Sequence, residues 1–235
     1  MPADQFDEQM AWLAATGRAS SLDAAVDVLA APVQSPTEPA TSPERLPVVV
    51  TFDDGTADLV DVALPILARH QVPATLYLAT RHVDEQVAWP DDGAPLSWAG
   101  CRELVGSGLV TMGSHTHSHA LLDRLAPADA AAELDRSTQL IEDNLAVAPQ
   151  HFAYPKAVPP SAEVEAQVRI RFRTAALGGN RANRPGATDP HRLARTAVQV
   201  SDGMVWFRRK ADGGMALEDT VRRGVNRLRY RSATQ

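Results

Sequence analysis

Two adjacent carboxylates and two imidazoles four residues apart are the groups of this chain best suited to chemistry. Asp53 and Asp54 close a β-branched run, Val48-Val49-Val50-Thr51, and are followed by Gly55. His115 and His119 come further on, in Ser114-His115-Thr116-His117-Ser118-His119. Their spacing lets both rings point the same way on one turn of helix. One Asp and two His make three protein ligands, the usual count for a catalytic zinc that keeps a position open for water. The second Asp could then take that water's proton. An isolated Asp-Asp-Gly after a strand more simply caps the next helix. Joined to two histidines, it reads as a metallohydrolase site, and the same ligand types also suit Co2+, Ni2+ or Fe2+.

The elements that must position these groups alternate between strand and helix. Residues 48–51, 74–79, 109–112, 151–154, 174–177 and 196–200 are expected as strands. Residues 57–70, 97–107, 127–145 and 163–170 are expected as helices. That alternation implies an α/β fold with a parallel sheet, open or closed into a barrel. Active sites of such folds gather at the carboxyl ends of the strands, where Asp53, Asp54, His115 and Tyr154 all fall. Ahead of this core lie two short helices within residues 1–31, the first stopped by Gly17 and the second capped by Ser20 or Ser21. Residues 32–47, rich in Pro, Ser, Thr and Glu, read as a flexible loop, and 201–235 as a helical tail. We expect one domain from 1 to 235, with 48–200 as its catalytic core.

The length of 235 residues allows one sizeable core, and 44% hydrophobic with 22% charged residues is ordinary for a globular protein. A formal charge of −6 argues against a nucleic-acid partner. Cys101 is the only cysteine, so there is no disulfide framework, and a buried structural thiol is expected. No stretch has the length of a membrane span, and the acidic N-terminus has no signal-peptide pattern. As written, the chain is expected in the cytoplasm, or outside the cell if its start is truncated. Nothing in it specifies an oligomeric state.

From about Phe6 to Val200 the chain resembles the polysaccharide deacetylases, the NodB-like carbohydrate esterases of family four. Thr51-Phe52-Asp53-Asp54-Gly55 matches the family's first motif, His115 to His119 its second, and Phe152-Ala153-Tyr154-Pro155 a third. The resemblance implies a distorted (β/α)7-type barrel with one divalent metal on Asp54, His115 and His119, and with Asp53 as general base. The substrate it implies is an N-acetylated carbohydrate, with the metal and a backbone N–H near Lys156 stabilising the oxyanion. Tyr154, Pro155, Lys156 and Trp89 are the expected substrate contacts, although burial as a core aromatic suits Tyr154 nearly as well.

Three departures from the family pattern bear on mechanism. Ala153 stands where many members carry an Arg paired with the catalytic Asp, and Arg195 is the preferred substitute. Lys156-Ala157 replaces an aromatic and a Gly, which adds a charge beside the acetyl pocket. No His follows His191 to serve as the family's usual general acid. In a second branch that acid lies on a Tyr-His strand, which here would fall before Met1. His117 and His191 are substitute candidates, though a surface or hydrogen-bonding role suits His117 better than catalysis. His70 reads as a surface or helix-capping residue and His82 as ambiguous. Trp98 reads as core, and the basic residues from Arg222 to Arg231 as a solvated helix face. The alternative to an enzyme is an impaired homologue that binds metal and sugar without the acid.

Overall fold

The computed structural model describes residues 1–31, 46–90 and 93–213. Most of the expected loop, Asp91, Asp92 and the basic tail lie outside the described residues. Five strands form one sheet in sequence order, β1 (Val50–Asp54), β2 (Ala74–Leu78), β3 (Val110–Ser114), β4 (His151–Ala153) and β5 (Thr174–Ala176), each pair parallel. Isolated parallel bridges extend its edges, Ala19 to Val48 on one side and Ala176 to Leu193 on the other. Among the described residues the curved sheet is therefore a half-barrel, in keeping with a distorted (β/α)7-type barrel that lacks strands.

The expected strand at 196–200 does not form. The Gln199 N–H donates to Asp202 Oδ2 at 2.6 Å, and a 3-10 turn at Val200–Asp202 follows. A local side-chain bond to the backbone takes the donor that a ladder would need. The last ladder contact comes earlier, at Leu193, whose neighbours place Arg195 over the sheet. Two strands run further than their hydrophobic runs suggest, since β1 includes both aspartates and β3 ends at Ser114.

Two helices open the chain, α1 (Ala3–Ala15) and α2 (Leu22–Ala30). Ser21 caps α2 by accepting from the Ala24 N–H at 3.2 Å. After β1 the expected helix begins as a π-helical turn, Leu59–Ala63, before α3 (Leu64–His70). Pro65 explains the change, because it has no N–H for the i−4 bond and its ring crowds the preceding turn. Then come α4 (Thr80–Asp84), α5 (Trp98–Gly106), α6 (Pro127–Leu145), α7 (Ala162–Arg169) and α8 (Gly203–Ala211). Ser97 and Ser161 cap α5 and α7, and Pro127 occupies the first turn of α6, where a missing N–H costs nothing.

Residue alternation divides the core into layers. Ala74, Leu76 and Leu78 pack outward with Val110 and Met112 against Leu67, Leu104 and Ile141 of the helices. Phe152, Tyr154 and Ala175 pack outward against Leu134, Val164 and Val168. Tyr77, Ala153 and Ala176 point inward and meet Leu193 with Leu22 and Val26, so α2 packs against the inner face of the sheet. Gly113 belongs to that inner face. A Cβ there would sit 2.9 Å from the His151 carbonyl oxygen and 2.8 Å from the Tyr77 ring. Cys101 is fully buried, and burial pushes its thiol up to about 12. Trp98 is only half-buried, its indole N–H donating to Asp84 at 3.1 Å. Among the described residues no helix is long and apolar enough to cross a membrane.

Candidate metal centre and active site

The carboxyl ends of β1 to β4 converge as the alternation predicts. Register places Asp53 beside Tyr77 and Asp54 beside Leu78, and the His115 N–H donates to the Leu78 carbonyl at 2.9 Å. Asp53, with even parity to Thr51, turns to the inner face. Arg195 meets it there with both terminal nitrogens, NH1 at 2.6 Å from Oδ1 and NH2 at 3.1 Å from Oδ2. The same guanidinium donates to Thr51 Oγ1 at 3.3 Å and lies 5.1 Å above the Tyr77 ring centroid. A bidentate grip fixes both the charge and the plane of the carboxylate. Burial alone would raise the Asp53 carboxyl, but the charge and hydrogen bonds of Arg195 outweigh it and hold it below the usual value.

Asp54 takes the opposite path. Its backbone φ is 123°, a conformation that L residues rarely adopt, and such strain persists where the surroundings enforce it. Gly55 follows with φ 103°, and a Cβ at that position would come 2.5 Å from Leu78 Cδ1. The turn throws Asp54 Oδ1 towards His115 Nε2 and His119 Nε2, 3.6 Å from each. Oδ1 is buried and has no hydrogen-bond partner among the described residues.

The two histidines do not share a turn of helix as their spacing suggested. Residues 115–120 are an irregular loop with Thr116 at φ 67° and His119 at φ 59°. Those left-handed residues fold the loop back, so both rings still face Asp54. His115 Nδ1 donates to the Ala153 carbonyl at 2.7 Å, which leaves Nε2 as the lone-pair nitrogen. Burial pushes His115 down to about 4 and also lowers His119, so both rings are neutral near pH 7. Burial raises Asp54, a rise that the His119 charge opposes and the Asp53 charge reinforces. The ligand atoms of Asp54, His115 and His119 lie within 4.8 Å of one another. An unpartnered carboxylate oxygen facing two neutral imidazole nitrogens is a donor set suited to a divalent cation.

Around this centre the sequence expectations divide. Trp89 sits edge-on to His119, with ring centroids 5.8 Å apart, and its N–H donates to the Gly55 carbonyl at 3.3 Å. Lys156 is exposed on a turn with φ 57°, and buried Pro155 precedes it. Tyr154 is not at the open face. Parity turns its side chain outward into the layer under α6 and α7, where it is 1% exposed with an unpartnered hydroxyl. Counting from inward-facing Ala153 would have revealed this.

Neither substitute acid reaches the centre. The His117 Nδ1 bonds Thr80 Oγ1 at 3.0 Å, and the His191 Nε2 donates to the Phe172 carbonyl at 2.8 Å. His70 pairs with Asp7 at 2.9 Å. His82 is the imidazole that sequence reasoning undervalued. It stacks on Trp89 with centroids 3.5 Å apart, on the loop that also approaches His119. Its Nδ1 donates to the Val87 carbonyl at 2.9 Å, which leaves Nε2 for other partners.

The polysaccharide deacetylase family model matches residues 40–174, more than half of the chain, and the chain belongs to that family. YxkH of Bacillus subtilis (strain 168), named for the same family, is 22% identical over 206 residues, covering 87% of this chain and 67% of its own. Among solved structures, IcaB from Ammonifex degensii is 25% identical with a TM-score of 0.72, over 91% of this chain and 89% of that one. The Streptococcus pyogenes deacetylase PplD, solved in complex with acetate, is 20% identical with a TM-score of 0.73. It covers 89% of this chain and 86% of its own.

Proposed function

We propose that this protein is a metal-dependent deacetylase that hydrolyses the N-acetyl group of an amino sugar in a polysaccharide, oligosaccharide or glycosylated metabolite. One observation carries the reading: two neighbouring carboxylates of β1 have been given different work. Asp54 Oδ1 is left bare between two imidazole nitrogens, while Asp53 is clamped by Arg195. Asp54, His115 and His119 would hold the ion, with Zn2+ the first choice for this donor set. A divalent ion held there supplies Lewis acidity, which brings the pKa of water to about 7 and polarises an acyl carbonyl.

Asp53 is the general base that accepts the proton of the attacking water. Arg195 keeps it ionised and keeps both of its oxygens out of the ligand set. In the third motif the Tyr154 N–H is committed to the Ala176 carbonyl at 3.0 Å and the Ala157 N–H to the Tyr154 carbonyl at 2.8 Å. The Lys156 N–H is the donor of that turn left to meet a developing oxyanion. The amine must leave protonated, because an amide anion departs very poorly. We assign the delivery of that proton to Nε2 of a doubly protonated His82, whose Nδ1–H stays on the Val87 carbonyl and whose ring stacks on Trp89, itself in contact with His119.

Trp89 would offer its edge to the sugar. PplD, a deacetylase with a similar fold, was solved with acetate, the product that this reading requires. The position of His117 and His191 away from the centre favours one second reading, a metal- and sugar-binding homologue without a proton donor. Acetate release from N-acetylated oligosaccharides separates the two. The deacetylase releases acetate when zinc-loaded and stops on chelation, whereas a binding homologue releases none in either state.

A further inference from the structure

The cavity next to Asp53, about 750 Å3, carries an unbalanced positive charge at Lys156. Its other basic lining residues include Arg18, Arg195 and Lys210, and each has a carboxylate of its own. Arg18 pairs with Asp212 at 2.6 Å, Arg195 with Asp53 at 2.6 Å and Lys210 with Asp202 at 2.6 Å. Asp58, the second carboxylate of the lining, accepts from the Thr56 hydroxyl. Lys156 makes no ion pair or hydrogen bond with its side chain among the described residues, and it is exposed.

Position makes this charge more than a surface lysine. The 3-10 turn Pro155–Ala157 is closed by the Ala157 N–H to the Tyr154 carbonyl, and by the Val158 N–H to the Pro155 carbonyl at 3.4 Å. That turn, anchored on buried Pro155, sets the direction in which the Lys156 stem leaves the backbone. The ammonium charge bears on both Asp54 and His119 of the donor set. Lys156 thus lines the cavity together with Asp53, and its charge also reaches the donor set. The cavity's volume is that of a small-molecule site.

We infer that the site selects N-acetylated sugars bearing an anionic substituent, a carboxylate or a phosphate, next to the acetamido group, with Lys156 as its counter-ion. The inference rests on the deacetylase reading. An ammonium is a point charge that pairs with either anion, so chemistry alone leaves both classes in place.

The test compares zinc-loaded full-length protein on N-acetylglucosamine, N-acetylmuramic acid and N-acetylglucosamine 1-phosphate, alongside the Lys156→Met and Lys156→Glu variants. The expected result is a higher kcat/KM for one or both anionic sugars. Lys156→Met lowers the anionic-to-neutral ratio about tenfold through KM, and Lys156→Glu lowers it further. The anionic sugar that keeps its advantage in the native protein identifies the class. A ratio that neither variant moves overturns the inference, and so does an equal loss of kcat on all three sugars, which a proton donor would give. If no sugar is turned over, acetate release from N-acetylated oligosaccharides decides the deacetylase reading, and equilibrium titration with the same sugars decides the inference. A preference for an anionic sugar that Lys156→Glu abolishes sustains the inference, and equal or absent binding overturns it.

Discussion

Asp53 and Arg195 show how one pair of side chains sets the chemistry available at a site. Desolvation by the surrounding rim pulls Asp53 towards the neutral acid, and the guanidinium reverses that preference. Its folded value is depressed, so the carboxylate is present at all pH values above the usual carboxylate range. Replacing Arg195 with Gln removes the larger favourable influence, and the Asp53 value must rise. The acid limb of kcat/KM then moves to higher pH with a lower plateau, and an unmoved limb in a pH–rate profile would dissociate Asp53 from that limb. His82→Gln keeps a polar group on the Trp89 face but removes the proton. Turnover should fall about a hundredfold while zinc stoichiometry is retained, as general acids contribute on that order. Retained turnover would return the acid role to another group.

At the scale of elements, what was legible depended on whether local or tertiary rules decide the outcome. The bounds of α6 follow from Pro127 at its start and an amphipathic run, and the structure has the same ends. The candidate donor set Asp54, His115 and His119 was legible because its residue types and order carry the chemistry whatever backbone presents them. The loop bearing His115 and His119 was misread as helix, since spacing four is satisfied equally by two left-handed residues whose placement depends on β2 and β4. Arg195 could be singled out because Ala153 leaves Asp53 without a partner; the place of His82 could not, because it depends on how residues 80–90 fold back over Gly55. Gly113 tests the element scale directly. Gly113→Ala must push Tyr77 or the His151 carbonyl away, and should cost about 1–3 kcal/mol of stability in urea unfolding. A neutral result would mean that β2 and β4 have slack at the inner face.

The whole molecule is a half-barrel whose open rim concentrates buried, uncompensated donors, and its stability should follow their protonation. His115 has a folded value near 4 against an ordinary 6.5, so the unfolded chain binds a proton that the folded chain refuses between those values. Metal-free protein should therefore be insensitive to pH above about 6.5 and lose stability as pH falls from there towards 4, by up to about 3 kcal/mol from this residue. His119 and His151, also lowered by burial, push in the same direction. Zinc should raise the melting temperature at neutral pH and lose that effect on chelation, because binding only the folded state stabilises it by mass action. A melting temperature indifferent to zinc would remove the metal from the account. The central claim is that neighbouring aspartates divide the labour of holding an ion and moving a proton. It is tested most directly by measuring zinc content and acetate release together in the native chain and in Asp53→Asn. The account predicts unchanged zinc stoichiometry and a loss of acetate release of at least about a hundredfold. Undiminished release by a zinc-loaded Asp53→Asn protein would contradict it.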